Sequence, residues 1–382
     1  MYLFLLIVFL ISYGSLYPFD FVQIGNDAFA IKEFFQTWGT YTHRGDILAN
    51  LLLFVPFGVT GVQMLLPKNN HILVIPFVLV LGLCLAIVLQ FGQIYLPSRD
   101  ANLSDAVLNF VGTIIGVFIA ISLNTNRTSF AGVIYGNDSF PMLILFSWMA
   151  YRLMPFVPSI DLQQLKNGIK PIFLFSTWEL VRIFHDAISW LVVFYILCRH
   201  KQKNLSMPYL SRLIFCCFIL EVIIVDNSVS MSNAVGGILA LVSWWAFFSY
   251  TKKLPVWLAT MMVVVLFASG FSPYQQSDTT QDIQLIPFYG FLGGSMLVNT
   301  ASFLEKFFLY GALIWLFQGV GLKFYWAILI TVGVTVCIEV GQIFLVGHLA
   351  EVTDPFLVLL IGSLIATLQR KTRVLSDIEV FL

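Results

Sequence analysis

The sequence is short of charge: Asp, Glu, Lys and Arg make up 10% of its 382 residues, divided into 20 acidic and 20 basic side chains. That scarcity excludes a basic nucleic-acid-binding surface and a polyanionic tail. Its five cysteines, Cys84, Cys198, Cys216, Cys217 and Cys337, have neither metal-ligand spacing nor the framework of a secreted disulfide protein, and structural burial is expected for them. The five histidines, His43, His71, His185, His200 and His348, are too scattered to specify a metal centre, and no cofactor is expected. The glycine-containing runs FVGTIIGVF (110–118) and VGGILALV (235–242) lack a P-loop lysine and a strand-turn-helix setting. Close packing of membrane helices is the expected role of those glycines.

Apolar residues are abundant, at 59% of the chain, with a mean hydropathy of +0.90. A water-soluble fold fits this poorly. Nine Trp, fourteen Tyr and thirty-seven Phe suit lipid-facing surface and aromatic belts near the bilayer boundary. The first apolar run, MYLFLLIVFLISYGSLY, has no basic n-region and no small-residue cleavage signal, so a retained membrane helix is expected. Further spans are predicted near 47–66, 72–96, 103–123, 138–154, 172–197, 210–225, 232–250, 255–272, 302–321, 324–346 and 354–369. The expected fold is therefore all-α, a polytopic transmembrane bundle of about twelve helices.

These spans fall into three related four-helix units, at 1–130, 131–252 and 253–382. In each unit a first helix ends at a Pro-aromatic pair, Pro18-Phe19, Pro155-Phe156 or Pro273-Tyr274, and a longer segment then precedes three closely connected helices. The first two long segments have amphipathic faces, with Phe34, Phe35, Trp38 and Tyr41 in one and Leu162, Leu165, Ile169 and Ile172 in the other, suited to the bilayer interface or to packing on the bundle. The positive-inside rule puts Lys68, Arg127, Arg199, Lys201, Lys203, Arg212, Lys252, Lys253, Lys323 and the basic C-terminal tail in the cytoplasm, together with both termini. The opposite side collects acidic residues that include Asp46, Asp105, Asp282, Glu351 and Asp354.

The polar residues of DILANLLLFVPFG (46–58) and QFGQIYLPSRDANLSDAVLNFVG (90–112) gather at helix ends. Asp46 and Asn50 are four apart and Gln90 and Gln93 three apart, so each pair shares a helix face. Arg99, Asp105 and Asn109 follow across a turn, and together these residues could line one outward-facing cleft. An arginine there can hold a phosphate or carboxylate through two parallel hydrogen bonds, or it can close a structural network with the aspartates and amides. A second version appears in EVGQIFLVGHLAEVTD (339–354): Gln342, His348 and Asp354 stand 249 positions after Gln93, Arg99 and Asp105, as Asn299 does after Asn50. Glu339 belongs to the same stretch. In the middle unit, Glu179, Arg182, His185 and Asp186 crowd one helix, marking either a substrate cavity or a neutralising network, because ionisable groups inside a membrane bundle are costly unless paired or hydrated.

The pattern of the first unit resembles the VanZ-like family, well over about 40–120 and more loosely over about 286–369, where LIPFYGF (285–291) is similar to the family's entry segment. In the first unit the resemblance carries over to Asn50, Pro56, Gly58, Gln90, Gln93, Arg99, Asp105, Asn109 and Gly112; in the last, Val358 replaces the expected Asn and His348 the expected Arg. It implies a small polytopic domain of bacterial envelopes, whose namesake is linked to teicoplanin resistance, and implies no established reaction. The leading expectation is an inner-membrane protein that binds a phospholipid, an amphiphilic glycan or a lipid-linked intermediate at Asp46, Asn50, Gln90, Gln93, Arg99, Asp105, Asn109, Arg182, Glu339, Gln342, His348 and Asp354. An effect on glycopeptide susceptibility and contacts with other envelope proteins belong to the same expectation. The alternatives are an enzyme acting on a lipid-linked phosphate or sugar, with Asp105 or Glu339 as base, and a lipid or glycan transporter.

Overall fold

A computed structural model describes residues 2–23, 25, 27–39, 44–65, 71–125, 139–159, 161–174, 179–201, 205–251, 253–277, 280–292 and 296–366, some of them without their side chains. It is all-helical, with no strand among the described residues. Twelve helices match the predicted spans: α1 (Tyr2–Leu16), α2 (Arg44–Leu65), α3 (His71–Ile94), α4 (Leu103–Thr125), α5 (Ser139–Arg152), α6 (Leu180–Lys201), α7 (Met207–Ile223), α8 (Met231–Ala246), α9 (Leu254–Phe271), α10 (Met296–Val320), α11 (Phe324–Gln342) and α12 (Thr353–Ala366). Among the described residues seven helical segments are long and apolar enough to cross a membrane, which makes this a polytopic membrane protein.

Two helices depart from the predicted spans. The sixth span starts at Leu180 rather than near 172, because Lys170–Phe173 forms a separate 3₁₀ turn with Pro171 near its start and the Glu179 amide donates to the Ser232 hydroxyl before the helix opens. It runs on to Lys201, where Arg199, His200 and Lys201 face the negative end of the helix dipole. Helix α10 starts at Met296 rather than near 302, taking in Asn299, whose amide donates to the Phe291 carbonyl at 2.5 Å.

The chain divides into two compact units, Met1–Gly136 and Asn137–Leu382. In the first, α2 and α4 lie almost backbone to backbone. A Cβ on Gly112 would collide with the Leu51 carbonyl oxygen, one on Gly116 with that of Val55, and one on Gly58 with that of Thr113. The glycines of the 110–118 run therefore serve close helix contact. Helices α1 and α3 close an apolar cluster around Phe54, Phe57, Val62 and Val78. The segment after α1 forms a helix at Asp27–Gln36; Phe34 turns inward against Phe91 with ring centroids 5.2 Å apart, while Phe35 and Trp38 are exposed.

In the second unit α8 packs on α6, with Gly236 against the Ile183 carbonyl. Helix α5 lies chiefly along α10, and α9 packs on both α6 and α10, so the first helix of each predicted quartet rests on the second helix of the other. Trp148, Trp190, Phe194, Trp244, Leu258 and Phe308 belong to the shared core. The amphipathic segment here forms a helix at Leu162–Ile169, with Leu162 exposed. Cys198 and Cys217 are buried as expected, but Cys84, Cys216 and Cys337 are exposed on apolar helices, where a lipid-facing surface is an equally apolar place for a thiol.

Candidate functional site

The three Pro-aromatic pairs share one local geometry. Each proline follows a cis peptide bond, and each following aromatic residue has a left-handed backbone, with φ of 67° at Phe19, 63° at Phe156 and 63° at Tyr274. The Phe19, Phe156 and Tyr274 amides each donate back to the carbonyl three residues earlier, in Leu16, Leu153 and Phe271. A tight turn of this kind leaves carbonyls at the end of the preceding helix without helical donors, and those carbonyls need partners from elsewhere.

The polar residues singled out in the sequence supply them. Gln93 donates to the Ser15 carbonyl at 2.8 Å, and Gln342 donates to the Gly270 carbonyl at the same distance. Asn227 performs the equivalent task on the Arg152 carbonyl at 2.5 Å. Arg99 donates through Nε to the Tyr17 carbonyl at 2.9 Å and through Nη2 to that of Gly14 at 3.4 Å, while His348 Nε2 meets the Ser272 carbonyl at 2.7 Å. Burial pushes the Arg99 pKa down, and neighbouring Tyr17 and Asp20 push it back up. Buried Gln90 accepts from the Asn102 amide at 2.9 Å, as Glu339 does from the Glu351 amide at 2.8 Å. Both donor–acceptor pairs keep the 249-residue offset read from the sequence.

The remaining first-unit candidates are placed as follows. Asn50 is half-buried on α2, and Asp105 lies in the first turn of α4. Asn109 is buried, and among the described residues its side-chain oxygen has no hydrogen-bond partner. The Asp46 side chain lies outside the described residues.

In the second unit the candidates Arg182, Gln342 and Asp354 come together around a cavity of about 650 Å³ formed at one end of the helices. Glu339 lies beside this end, buried, with its carboxylate turned to the Glu351 amide. The cavity also takes in residues that sequence reasoning did not assign to a site, above all Tyr151, Arg152, Glu221 and Tyr310. Arg152 ends α5 and donates to Glu221 on α7 at 2.5 and 3.3 Å and to Asp186 on α6 at 3.2 Å. Asn233, at the start of α8, donates to the other Asp186 oxygen at 2.7 Å. One network thus ties all four helices of the middle quartet, with the guanidinium 5.5 Å from the Trp148 ring centroid and 5.6 Å from that of Trp190.

On the opposite wall, Lys306 donates to Asp354 at 2.6 Å and the Tyr310 hydroxyl donates to the same carboxylate at 2.5 Å. His185 faces Glu305 at 3.5 Å. Glu179 and Arg182 are exposed at the rim, and among the described residues no ion pair engages either side chain. The Tyr151 hydroxyl is buried and has no hydrogen-bond partner among the described residues. Leu266, Leu309 and Ile338 supply apolar wall. A mouth of mixed charge over apolar walls suits an amphiphile whose head carries several polar groups.

No curated protein and no solved structure matches the chain. Residues 2–124 match the VanZ/LLP1 family model, a span running from α1 to within one residue of the end of α4. That match makes the first unit similar to the VanZ/LLP1 family, and the apolar helices make the chain a polytopic membrane protein.

Proposed function

We propose that this protein holds the polar head of an amphiphile, a phospholipid or lipid-linked glycan, in the cavity of its second unit. The observation that carries the proposal is a cavity of about 650 Å³ at the helix ends, lined by several ionisable groups of which Glu179 and Arg182 remain without an ion pair among the described residues. Exposed charges at a cavity rim that no partner engages are available to a ligand. Arg182 is the group suited to a phosphate or carboxylate. Leu266, Leu309 and Ile338 offer surface to the chain of the amphiphile.

The charge distribution orients the reading. Arg199, His200 and Lys201 end α6 while Lys253 and Lys323 precede α9 and α11, all at helix ends opposite the cavity. The positive-inside rule then puts those ends and both termini in the cytoplasm of a bacterial inner membrane, with the cavity facing outward. Three related four-helix units complete the proposal, the first supplying a frame closed by its own polar residues. Altered glycopeptide susceptibility would follow if the bound amphiphile belongs to envelope assembly.

The test is to purify the full chain from its membrane in gentle detergent and identify retained amphiphiles by native mass spectrometry, wild type beside Arg182→Ala. A defined lipid or glycan is expected on the wild type at several-fold higher occupancy than on the variant. Wild-type protein carrying no amphiphile, or equal occupancy in both, overturns the proposal.

A further inference from the structure

The charges lining the cavity do not balance, and the imbalance narrows the ligand class. Three fixed cations face it, Arg152, Arg182 and Lys306. Five carboxylates oppose them: Glu179, Asp186, Glu221, Glu305 and Asp354. Lys306 and Asp354 cancel as a pair at 2.6 Å. Arg152 is shared between Glu221 and Asp186, and all three side chains are at most 6% exposed, so this network is sealed and self-contained. At the mouth Glu179 and Arg182 form no ion pair among the described residues, and Glu305, 39% exposed at its side chain, has the His185 ring opposite it. A ligand that complements this surface brings positive charge to the Glu305 side and an anionic group to Arg182.

The aromatic groups narrow the class further. A quaternary ammonium is held by aromatic faces, but here Trp148, Trp190 and Phe218 already surround the Arg152 guanidinium. A primary ammonium instead needs hydrogen-bond acceptors, which Glu305 provides. The Tyr151 hydroxyl, buried and without a hydrogen-bond partner among the described residues, adds a further polar contact in the same cavity. Arg182 and His185 are one helical turn apart, about 4.5 Å along the α6 axis, so the anion and amine positions are near enough for a phosphate and an amine joined by a short spacer.

Building on the amphiphile reading above, we infer that the ligand is a zwitterionic amphiphile with a primary amine, its phosphate on Arg182 and its ammonium on Glu305. The chemistry is the same whether the amine belongs to a phosphoethanolamine lipid or to an amino sugar on a lipid phosphate.

The experiment presents the full chain in detergent with equimolar phosphatidylethanolamine, phosphatidylcholine and phosphatidylglycerol of identical acyl chains, and reads occupancy by native mass spectrometry. Glucosamine phosphate serves as a soluble competitor. Wild type should favour the ethanolamine lipid by about tenfold, Glu305→Gln should abolish that preference, and Arg182→Gln should weaken all three lipids by about tenfold. Displacement by glucosamine phosphate would identify a sugar amine as sufficient, and its absence would favour the lipid source. Equal or preferred binding of the glycerol or choline lipid, still lowered by Arg182→Gln, overturns the amine assignment while leaving the amphiphile reading intact. Binding of none of the three, with no competitor retained, overturns both. Unchanged melting of Glu305→Gln excludes loss of fold as the cause, and Glu305→Asp should keep the ethanolamine preference.

Discussion

Replacing Arg152 with Met tests whether the buried network is held by charge balance. The substitution removes the only cation that reaches both Glu221 and Asp186 among the described residues, whose side chains are 4% and 6% exposed. Asp186 keeps its bond from Asn233, whereas Glu221 loses both hydrogen bonds from the guanidinium. Breaking a buried ion pair by removing one partner costs about 3–5 kcal/mol, because the remaining charge stays buried. Met retains much of the apolar stem, so the cavity contribution is small. For a unit of this size the loss corresponds to a melting shift of roughly 6–20 °C downward. The assay is thermal unfolding in detergent, followed by near-ultraviolet circular dichroism of the Trp148–Trp190 pair, whose ring centroids are 4.6 Å apart. The triple variant Arg152→Met/Glu221→Leu/Asp186→Asn removes every charge of the network and keeps an acceptor for Asn233; it should recover most of the loss, since neutral replacements for buried ion pairs are often tolerated. A single variant that melts with the wild type, or a triple variant no better than the single, would refute the reasoning.

Other perturbations have equally definite outcomes. Gly112→Ala drives a methyl into the Leu51 carbonyl and should destabilise the first unit by about 1–3 kcal/mol or more; Gly333→Ala, with nothing within 4 Å, should be neutral or slightly stabilising, and limited proteolysis would separate the two. Arg99→Ala removes two hydrogen bonds to backbone carbonyls at a cost of about 1.5–3 kcal/mol, whereas Arg99→His should lose less, because His348 meets a carbonyl at the corresponding turn; melting in detergent measures both. In a cysteine-free background, single cysteines at Glu179 and Lys323 should label from opposite sides of intact cells or inverted vesicles, and labelling from one side would overturn the proposed topology.

Much of this architecture was legible because a bilayer demands long apolar helices, and such runs are readable without tertiary information. The 249-residue offset also carried real geometry: Gln93 and Gln342 meet matching carbonyls, as do Arg99 and His348. The targets of those side chains were harder to read. An amide or guanidinium at a helix end looks alike in sequence whether it faces a headgroup or a carbonyl released by a turn 78 residues earlier. Arg152 stands at a helix end, and its pairing with Glu221, 69 positions away, lies beyond any helical periodicity. The cavity itself arises from the packing of α5 on α10 and of α9 on α6, and no local pattern in either helix records that exchange.

The same offset shows where polarity was added to a common frame. Glu305 and Lys306 occupy the positions that Pro56 and Phe57 hold in the first unit, and Phe57 is 2% exposed in an apolar cluster with Phe54 and Val62. Packing alone is therefore met by apolar side chains at this point of the helix. Exchanging them for a carboxylate and an ammonium carries a desolvation cost that Asp354 offsets for Lys306 and His185 only partly offsets for Glu305. The incompletely matched carboxylate lies on the cavity, in the same unit as Arg182 and the Tyr151 hydroxyl, which have no ion pair and no hydrogen-bond partner, respectively, among the described residues. A frame-building role for the second unit would not require that departure from the apolar solution, whereas the proposed ligand would supply the missing counter-charge.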